Sequence, residues 1–237
     1  MNGHQALENN LLNHNVDLNM LQKATPIQSN EEIRQAWLQQ RLGKFTASEF
    51  YRLLTYPNKA ELPAGGITYA TEKAVELLTD TVKSSFVNEA MQWGLDHEMD
   101  AIRAFERAAN ISITATGTEQ AFITKGDAVG GTPDGLIGDG SGIEIKCPNS
   151  ITHLKYRQLR TMAALKTTCP NHYWQIQGLM YITERTHRHF VSYDPRYTDP
   201  QKQLYCLTLT AEQDDHAFLA KRLSLAIECR NTLLNII

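Results

Sequence analysis

Apolar and polar positions alternate with two different periods along the chain. Residues 1–30 are rich in Asn and Gln and poor in large apolar groups, which predicts a terminal arm with at most a short helix around Leu11 to Leu21. Patterned sequence begins after it. Ser29 or Asn30 followed by Glu31 and Glu32 reads as a helix cap with acids in the first turn. Ile33, Trp37 and Leu38 share a helical face, so a helix runs to about Arg41 and stops at Gly43. Thr46-Ala-Ser48 precedes a second helical pattern, Glu49 to Leu54. Pro57 to Gly66 is a loop. Two longer helices follow, one marked by Tyr69, Val75, Leu77 and Leu78, the other by Trp93, Leu95, Ile102 and Phe105.

From Ile111 the period changes to two. Ala121 to Ile123, Ala128 to Thr132, Gly135 to Ile137 and Gly142 to Lys146 read as strands. One helix fits Tyr173 to Thr183, strands fit Phe190 to Tyr193 and Leu204 to Leu209, and Ala211 to Leu234 is an amphipathic helix. Helices followed by strands interrupted by a helix predict an α+β fold. No low-complexity linker divides residues 31–237, which are read as one domain behind the arm.

At 237 residues and 42% hydrophobic content the chain is long enough to bury a core without staples. No apolar run has the roughly 18 residues of a membrane span, and Met1 to Asn10 lacks the basic and apolar regions of a signal peptide. The four cysteines are scattered, with no C-x-x-C pair, which speaks against zinc and suits a reducing cytoplasm. His153, His172, His187 and His189 form no metal-ligand spacing, and His187 and His189 read as surface positions. The net charge of −3 argues at first sight against a nucleic-acid partner. That average conceals an asymmetry. Ile145 to Thr183 contains Lys146, Lys155, Arg157, Arg160 and Lys166 and no acid, which predicts a phosphate path along one face.

The basic stretch follows the most informative segment, Pro133-Asp134 through Glu144-Ile-Lys146. Gly138 to Gly142 signals a turn. A hairpin centred on Asp139 sets Asp134 opposite Glu144, with Cβ atoms about 4.5–5.5 Å apart. Lys146, two residues on, shares their face. A slip of one residue would send Asp134 to the other face. Two carboxylates so close resist ionising unless a cation lies between them. A hard divalent ion, held by Asp134, Glu144 and the Ile145 carbonyl, would resolve the conflict. Lys146 could then orient and help deprotonate an attacking water, which is a constellation for metal-assisted phosphodiester hydrolysis. An E-x-K pair taken alone is more often a solvated strand, and it is the Pro-Asp ten residues earlier that brings the nuclease pattern level with that reading.

Pro133-Asp134 with Glu144-x-Lys146 resembles the PD-(D/E)-x-K nuclease superfamily. Three further blocks narrow the resemblance to the lambda-exonuclease-like, YqaJ-type viral recombinase nucleases: Trp37-Leu-Gln-Gln-Arg41 through Thr46-Ala-Ser48-Glu, Trp93-Gly-Leu-Asp-His-Glu98-Met-Asp-Ala101, and Gln175-Ile-Gln177 through Tyr193-Asp-Pro-Arg196. The blocks stand in the family's order and span residues 37–196. The resemblance implies a restriction-endonuclease-like core, a mixed, mainly β central sheet flanked by helices. It implies a Mg²⁺-dependent 5′-to-3′ exonuclease on duplex DNA ends that releases mononucleotides and leaves 3′ single strands for annealing-type recombination. Two ions are implied, with Mn²⁺ able to substitute. So are a homotrimeric ring, a single-strand-annealing partner and a phage- or prophage-encoded, cytoplasmic setting.

By the same resemblance Asp134, Glu144 and Ile145 hold metal, while Lys146 and Glu98 handle the attacking water, with Gln175 nearby. Arg41, Ser48, Thr132 and Gln175 form the 5′-phosphate pocket. The family has Ser where this chain has Thr132, which keeps the hydroxyl and adds a methyl. Met91 matches by position an apolar wedge between terminal bases, although simple packing is the commoner use of such a Met. The family's loop Arg is absent, and Lys59 of Pro57-Asn58-Lys59 stands near its place. Gln177 lies two residues from Gln175 on a helix and so points elsewhere, as a surface amide. Two other readings share these residues: an endonuclease or nickase, and an inactive DNA-end-binding subunit.

Overall fold

The computed structural model describes residues 30–56, 59–82, 88–138 and 140–236. The arm and its short helix around Leu11 to Leu21 lie outside them. The chain divides into two units, Met1–Ala36 and Trp37–Ile237. What the first contributes to the described residues is the start of α1, Asn30–Arg41. In the second, β1 (Phe45–Thr46) runs into a 3-10 helix, Ala47–Leu53, followed by α2 (Ala64–Thr79) and α3 (Glu89–Ala109). Then come β2 (Ile113–Thr114), a 3-10 turn (Gly117–Glu119), β3 (Ile123–Lys125), β4 (Val129–Gly131), β5 (Gly135–Ile137) and β6 (Ser141–Lys146). Helices α4 (Ser150–Arg157), α5 (Met162–Thr168) and α6 (Pro170–Thr183) precede β7 (His187–Tyr193), α7 (Pro200–Gln203), β8 (Leu204–Thr210) and α8 (Gln213–Asn235). No described helix is long and apolar enough to cross a membrane.

The fold is α+β, with mixed sheets flanked by helices. Its strands form two sheets rather than one: a three-stranded sheet ordered β1-β4-β3 and a five-stranded sheet ordered β2-β5-β6-β7-β8. In the larger sheet β6 and β7 are parallel and the other pairs antiparallel. The β6–β7 crossover carries three helices, not the one that periodicity suggested; α4 and α5 are too short for their apolar repeat to stand out. The pattern at Glu49 to Leu54 is a 3-10 helix shifted to Ala47–Leu53, and the strand expected at Ala121 to Ile123 lies at Ile123–Lys125.

The period-two pattern of β6 divides its side chains between the faces. Ile143 and Ile145 pack with Ala101, Ile102 and Phe105 of α3 and with Val191 and Tyr193 of β7. Glu144 and Lys146 project from the opposite face, shared by their β7 partners Phe190 and Ser192. Phe190 belongs to the larger core, built with α6, α2, α8 and the 3-10 helix. Gln177, expected on the surface, is fully buried. It donates to the Thr210 carbonyl (2.8 Å) and accepts from the Glu212 N–H (3.1 Å), so it ties α6 to the turn before α8.

The approach of α6 to the 3-10 helix depends on Gly178. A Cβ there would lie 2.4 Å from Phe50 Cδ2 and 2.7 Å from its Cε2, and Phe50 is fully buried. Gly178→Ala therefore gains about 1 kcal/mol of helix propensity but loses more to the clash, since overpacking costs about 1–3 kcal/mol. Its melting temperature should fall by about 2–4 °C for each net kcal/mol. Thermal unfolding followed by circular dichroism checks this, and an unchanged or raised midpoint would show that the helices do not meet so closely.

Candidate active site

The β5–β6 hairpin pairs Gly135 with Ile143 and Leu136 with Gly142, the register of a hairpin centred on residue 139. One step further it sets Asp134 opposite Glu144. Two steps further it would set Pro133 against Ile145, and proline has no N–H to give. The ladder ends there. The Ile145 N–H takes the Asp134 carboxylate as its acceptor instead, Oδ2 at 2.6 Å. The turn is braced from outside by Arg185, whose guanidinium donates to the Ile137 (2.7 Å) and Ser141 (2.5 Å) carbonyls.

Glu144 is fully buried. Lys146 Nζ donates to its Oε1 at 2.8 Å and to Gln175 Oε1 of α6 at 3.3 Å. Glu98, on α3, accepts from Gln120 Nε2 at 2.8 Å, and the same amide lies 3.5 Å from the Asp134 carbonyl. Burial, reinforced by the charge of Glu144, holds the Asp134 carboxyl well above its usual range. Burial also raises Glu98, against the hydrogen bond from Gln120 and with the help of Glu144. Burial works against the Lys146 ammonium, but Glu144 and Asp134 outweigh it and keep its pKa above the ordinary value. Without a further cation nearby, Lys146 is therefore a donor rather than a base.

Among the described residues no group of three or more His, Cys, Asp and Glu side chains forms a ready-made metal cage. The donor set is thinner: two carboxylates and a main-chain carbonyl. It nevertheless fits a hard divalent ion. Glu144 Oε2 is buried without a hydrogen-bond partner, Asp134 resists ionising for lack of compensating charge, and Pro133 leaves the Ile145 carbonyl without a strand donor. A small oxygen-seeking cation such as Mg²⁺, which commonly takes one or two carboxylates plus water and phosphate, answers all three deficits.

Next to this cluster is a cavity of about 190 Å³, lined by residues that include Arg41, Ser48, Thr132, Gln175, Asp134, Gln120 and Trp37. The chain between β4 and β5 brings Thr132 and Asp134 to it, and Arg41 Nη1 donates to Thr132 Oγ1 at 3.1 Å. Arg41 is placed by the turn that ends α1. Gly43 has a positive φ of 66°, its N–H donates to Glu76 Oε2 of α2 (3.0 Å), and its carbonyl accepts from Arg230 of α8 (2.6 Å). Ser48 enters from the start of the 3-10 helix. The four residues of the implied phosphate pocket thus share one cavity with Asp134 of the carboxylate cluster.

The fold gives three sequence features settings that local pattern did not show. Met91 is 49% exposed in the first turn of α3, not packed in the core. The basic stretch is partly occupied with structure: Lys166 pairs with Asp215 (2.7 Å), and Arg157 caps the Lys202 and Leu204 carbonyls (both 3.0 Å). Lys59 lies in a loop whose Tyr56, Lys59 and Glu61 carbonyls are held by the buried Arg222, an anchor that no local pattern announced. Sequence reading missed Gln120, a lone amide in irregular chain after the 3-10 turn, and the part played by Trp37 in the cavity wall.

Solved structures share this architecture. The alkaline exonuclease LHK-Exo from Laribacter hongkongensis aligns with a TM-score of 0.70 at 28% identity, covering 85% of this chain and 95% of that one. LHK-Exo in complex with dAMP aligns with a TM-score of 0.71 at the same identity and coverage. A phage-related exonuclease from Haemophilus somnus 129PT shares the fold, with a TM-score of 0.66 at 14% identity over 81% of this chain and 96% of that one. No curated protein matches the chain. The YqaJ-like viral recombinase domain matches residues 36–186, well over half of the sequence. With that match on top of the shared architecture, the chain belongs to the family of YqaJ-like viral recombinase domains.

Proposed function

We propose that this protein is a metal-dependent 5′-to-3′ exonuclease acting on duplex DNA ends, with a preference for a 5′-phosphate. One observation carries the reading: a carboxylate–lysine cluster opens directly beside a cavity walled by an arginine, two hydroxyls and an amide. The first half suits phosphodiester hydrolysis and the second suits a terminal phosphate. The similar LHK-Exo, crystallised with dAMP, supports a nucleotide as the product.

Asp134, Glu144 and the Ile145 carbonyl would hold two Mg²⁺ ions, with Mn²⁺ substituting. Bound there, the ions would supply Lewis-acid activation of water and charge stabilisation of the leaving oxygen. Lys146, fixed between Glu144 and Gln175, orients the attacking water and the scissile phosphate by donating hydrogen bonds. Glu98, steadied by Gln120, takes the water's proton. Arg41, Thr132, Ser48 and Gln175 grip the terminal phosphate, so hydrolysis falls one nucleotide inward and frees a mononucleotide. Met91, exposed at the start of α3, is the wedge against the terminal base pair, and Lys59 touches the duplex from its loop. A ring of three subunits, an annealing recombinase that receives the 3′ strand, and a setting in the host cytoplasm complete the reading.

Four outcomes test it. On a linear duplex labelled at one end, with and without a 5′-phosphate, Arg41→Ala should erase the preference for phosphorylated ends; equal slowing on both ends would contradict its assignment. Lys146→Ala should keep DNA affinity within a few-fold while cleavage drops by at least about a hundredfold, read by filter binding and nucleotide release. A covalently closed circle cut as fast as the linear duplex would favour an endonuclease instead. The fourth outcome concerns stability. A carboxyl raised on folding stabilises below its unfolded pKa of about 3.9, and that contribution is lost as pH rises through the folded value. At neutral pH in chelator, above that unfolded value, the buried Asp134 carboxyl therefore weighs against the fold. Asp134→Asn should melt a few degrees higher than wild type, roughly 2–4 °C for each kcal/mol relieved, and Mg²⁺ should narrow or reverse the gap. A lower midpoint in chelator would contradict this account of the cluster.

A further inference from the structure

Arg41 has no carboxylate at ion-pair distance among the described residues. Aromatic faces hold it instead. Its guanidinium carbon lies 4.2 Å from the centre of the Trp37 ring and 5.1 Å from that of Phe122. Trp37 precedes it by one helical turn on α1, so the two side chains share a face. Trp37 is 41% exposed and lines the same cavity as Arg41. A carboxylate in its place would also fix the guanidinium, but it would occupy the N–H fork and cancel the charge. A π face attracts the cation through its quadrupole and leaves the in-plane N–H groups available.

We propose that Trp37 is a positioning residue for terminal-phosphate recognition: with Phe122 it orients the Arg41 guanidinium toward the cavity without neutralising it. The inference rests on the reading of this cavity as the 5′-phosphate site. It assigns end specificity to an aromatic that touches the phosphate only through Arg41. The indole is not catalytic, and a base stacked on it would be a different role with a different signature.

The test measures kcat/KM on linear duplexes bearing 5′-phosphate or 5′-hydroxyl ends, for wild type, Trp37→Ala, Trp37→Phe and Arg41→Ala. The expected result is a clear wild-type preference for phosphate, reduced roughly tenfold in Trp37→Ala, the scale of a partly desolvated cation–π contact. The rate on hydroxyl ends should hold within about twofold, and Trp37→Phe should recover most of the preference. The loss should appear mainly in KM, since a looser Arg41 weakens binding of the end. If wild type shows no preference, the phosphate-site reading fails and takes this inference with it. If wild type and Arg41→Ala behave as proposed but Trp37→Ala keeps the preference, or slows both ends equally as a base-stacking or merely structural residue would, the inference is overturned and the reading of the cavity stands.

Discussion

The site depends on one hydrogen bond that replaces another. Sheet pairing between β5 and β6 ends because Pro133 cannot donate, and the Ile145 N–H is satisfied by the Asp134 carboxylate at 2.6 Å. A buried amide without an acceptor is expensive, so this bond is held firmly. It fixes the carboxyl next to Glu144, and the cost of crowding two carboxylates falls on the pair. Lys146 offsets part of it; the orphaned Glu144 Oε2 and the raised Asp134 carboxyl mark what is left. The chain has thus folded an unsatisfied demand for positive charge into the end of a strand, at a place where main-chain geometry permits little relaxation.

What the sequence disclosed follows from the range of each interaction. The hairpin register was legible because turn glycines and the Glu144-x-Lys146 pair lie within a dozen residues and a period of two decides their face. That Gln175 and Gln177 face different ways was legible from their spacing on a helix, while the choice of Gln175 for the site came from the family resemblance. The destination of Gln177 was not legible: its partners, Thr210 and Glu212, come from a distant turn, and an amide in a helix carries no mark of burial. Arg41 and Thr132 are 91 residues apart and Gln120 and Glu98 are 22 apart, so only the tertiary fold brings each pair together. Charge counting misled for a related reason. Lys166 and Arg157 were counted as free cations, but in the fold they serve Asp215 and two carbonyls.

Around the site, neighbouring elements serve as supports. Glu76 and Arg230 pin the Gly43 turn that ends α1, Gly178 lets α6 press on the segment that carries Ser48, and Arg185 clips the β5–β6 turn. Each acts on main chain or packing rather than on the cavity itself. A constellation assembled from α1, the 3-10 helix, the β4–β5 crossover, α3 and α6 needs such bracing, because tolerances of a few tenths of an ångström separate a hydrogen bond from none.

The charges in the cavity and in the cluster beside it are divided in space. On the β6 side three carboxyls, Asp134, Glu144 and Glu98, face one lysine and leave no surplus of positive charge, so a phosphate finds a hold there only when cations accompany it. On the α1 side Arg41 lies against the Trp37 and Phe122 rings with no carboxylate at ion-pair distance among the described residues, so a bare phosphate is attracted there. Under the proposed function this division orders the substrate. The dianionic end of a strand settles in the arginine half, and the internal diester, carrying a single charge, falls in the metal half. A monoester in the metal half and a diester in the arginine half would each be the poorer electrostatic match. The direction of attack along the strand is then set by which half binds which phosphate, before any contact with the bases.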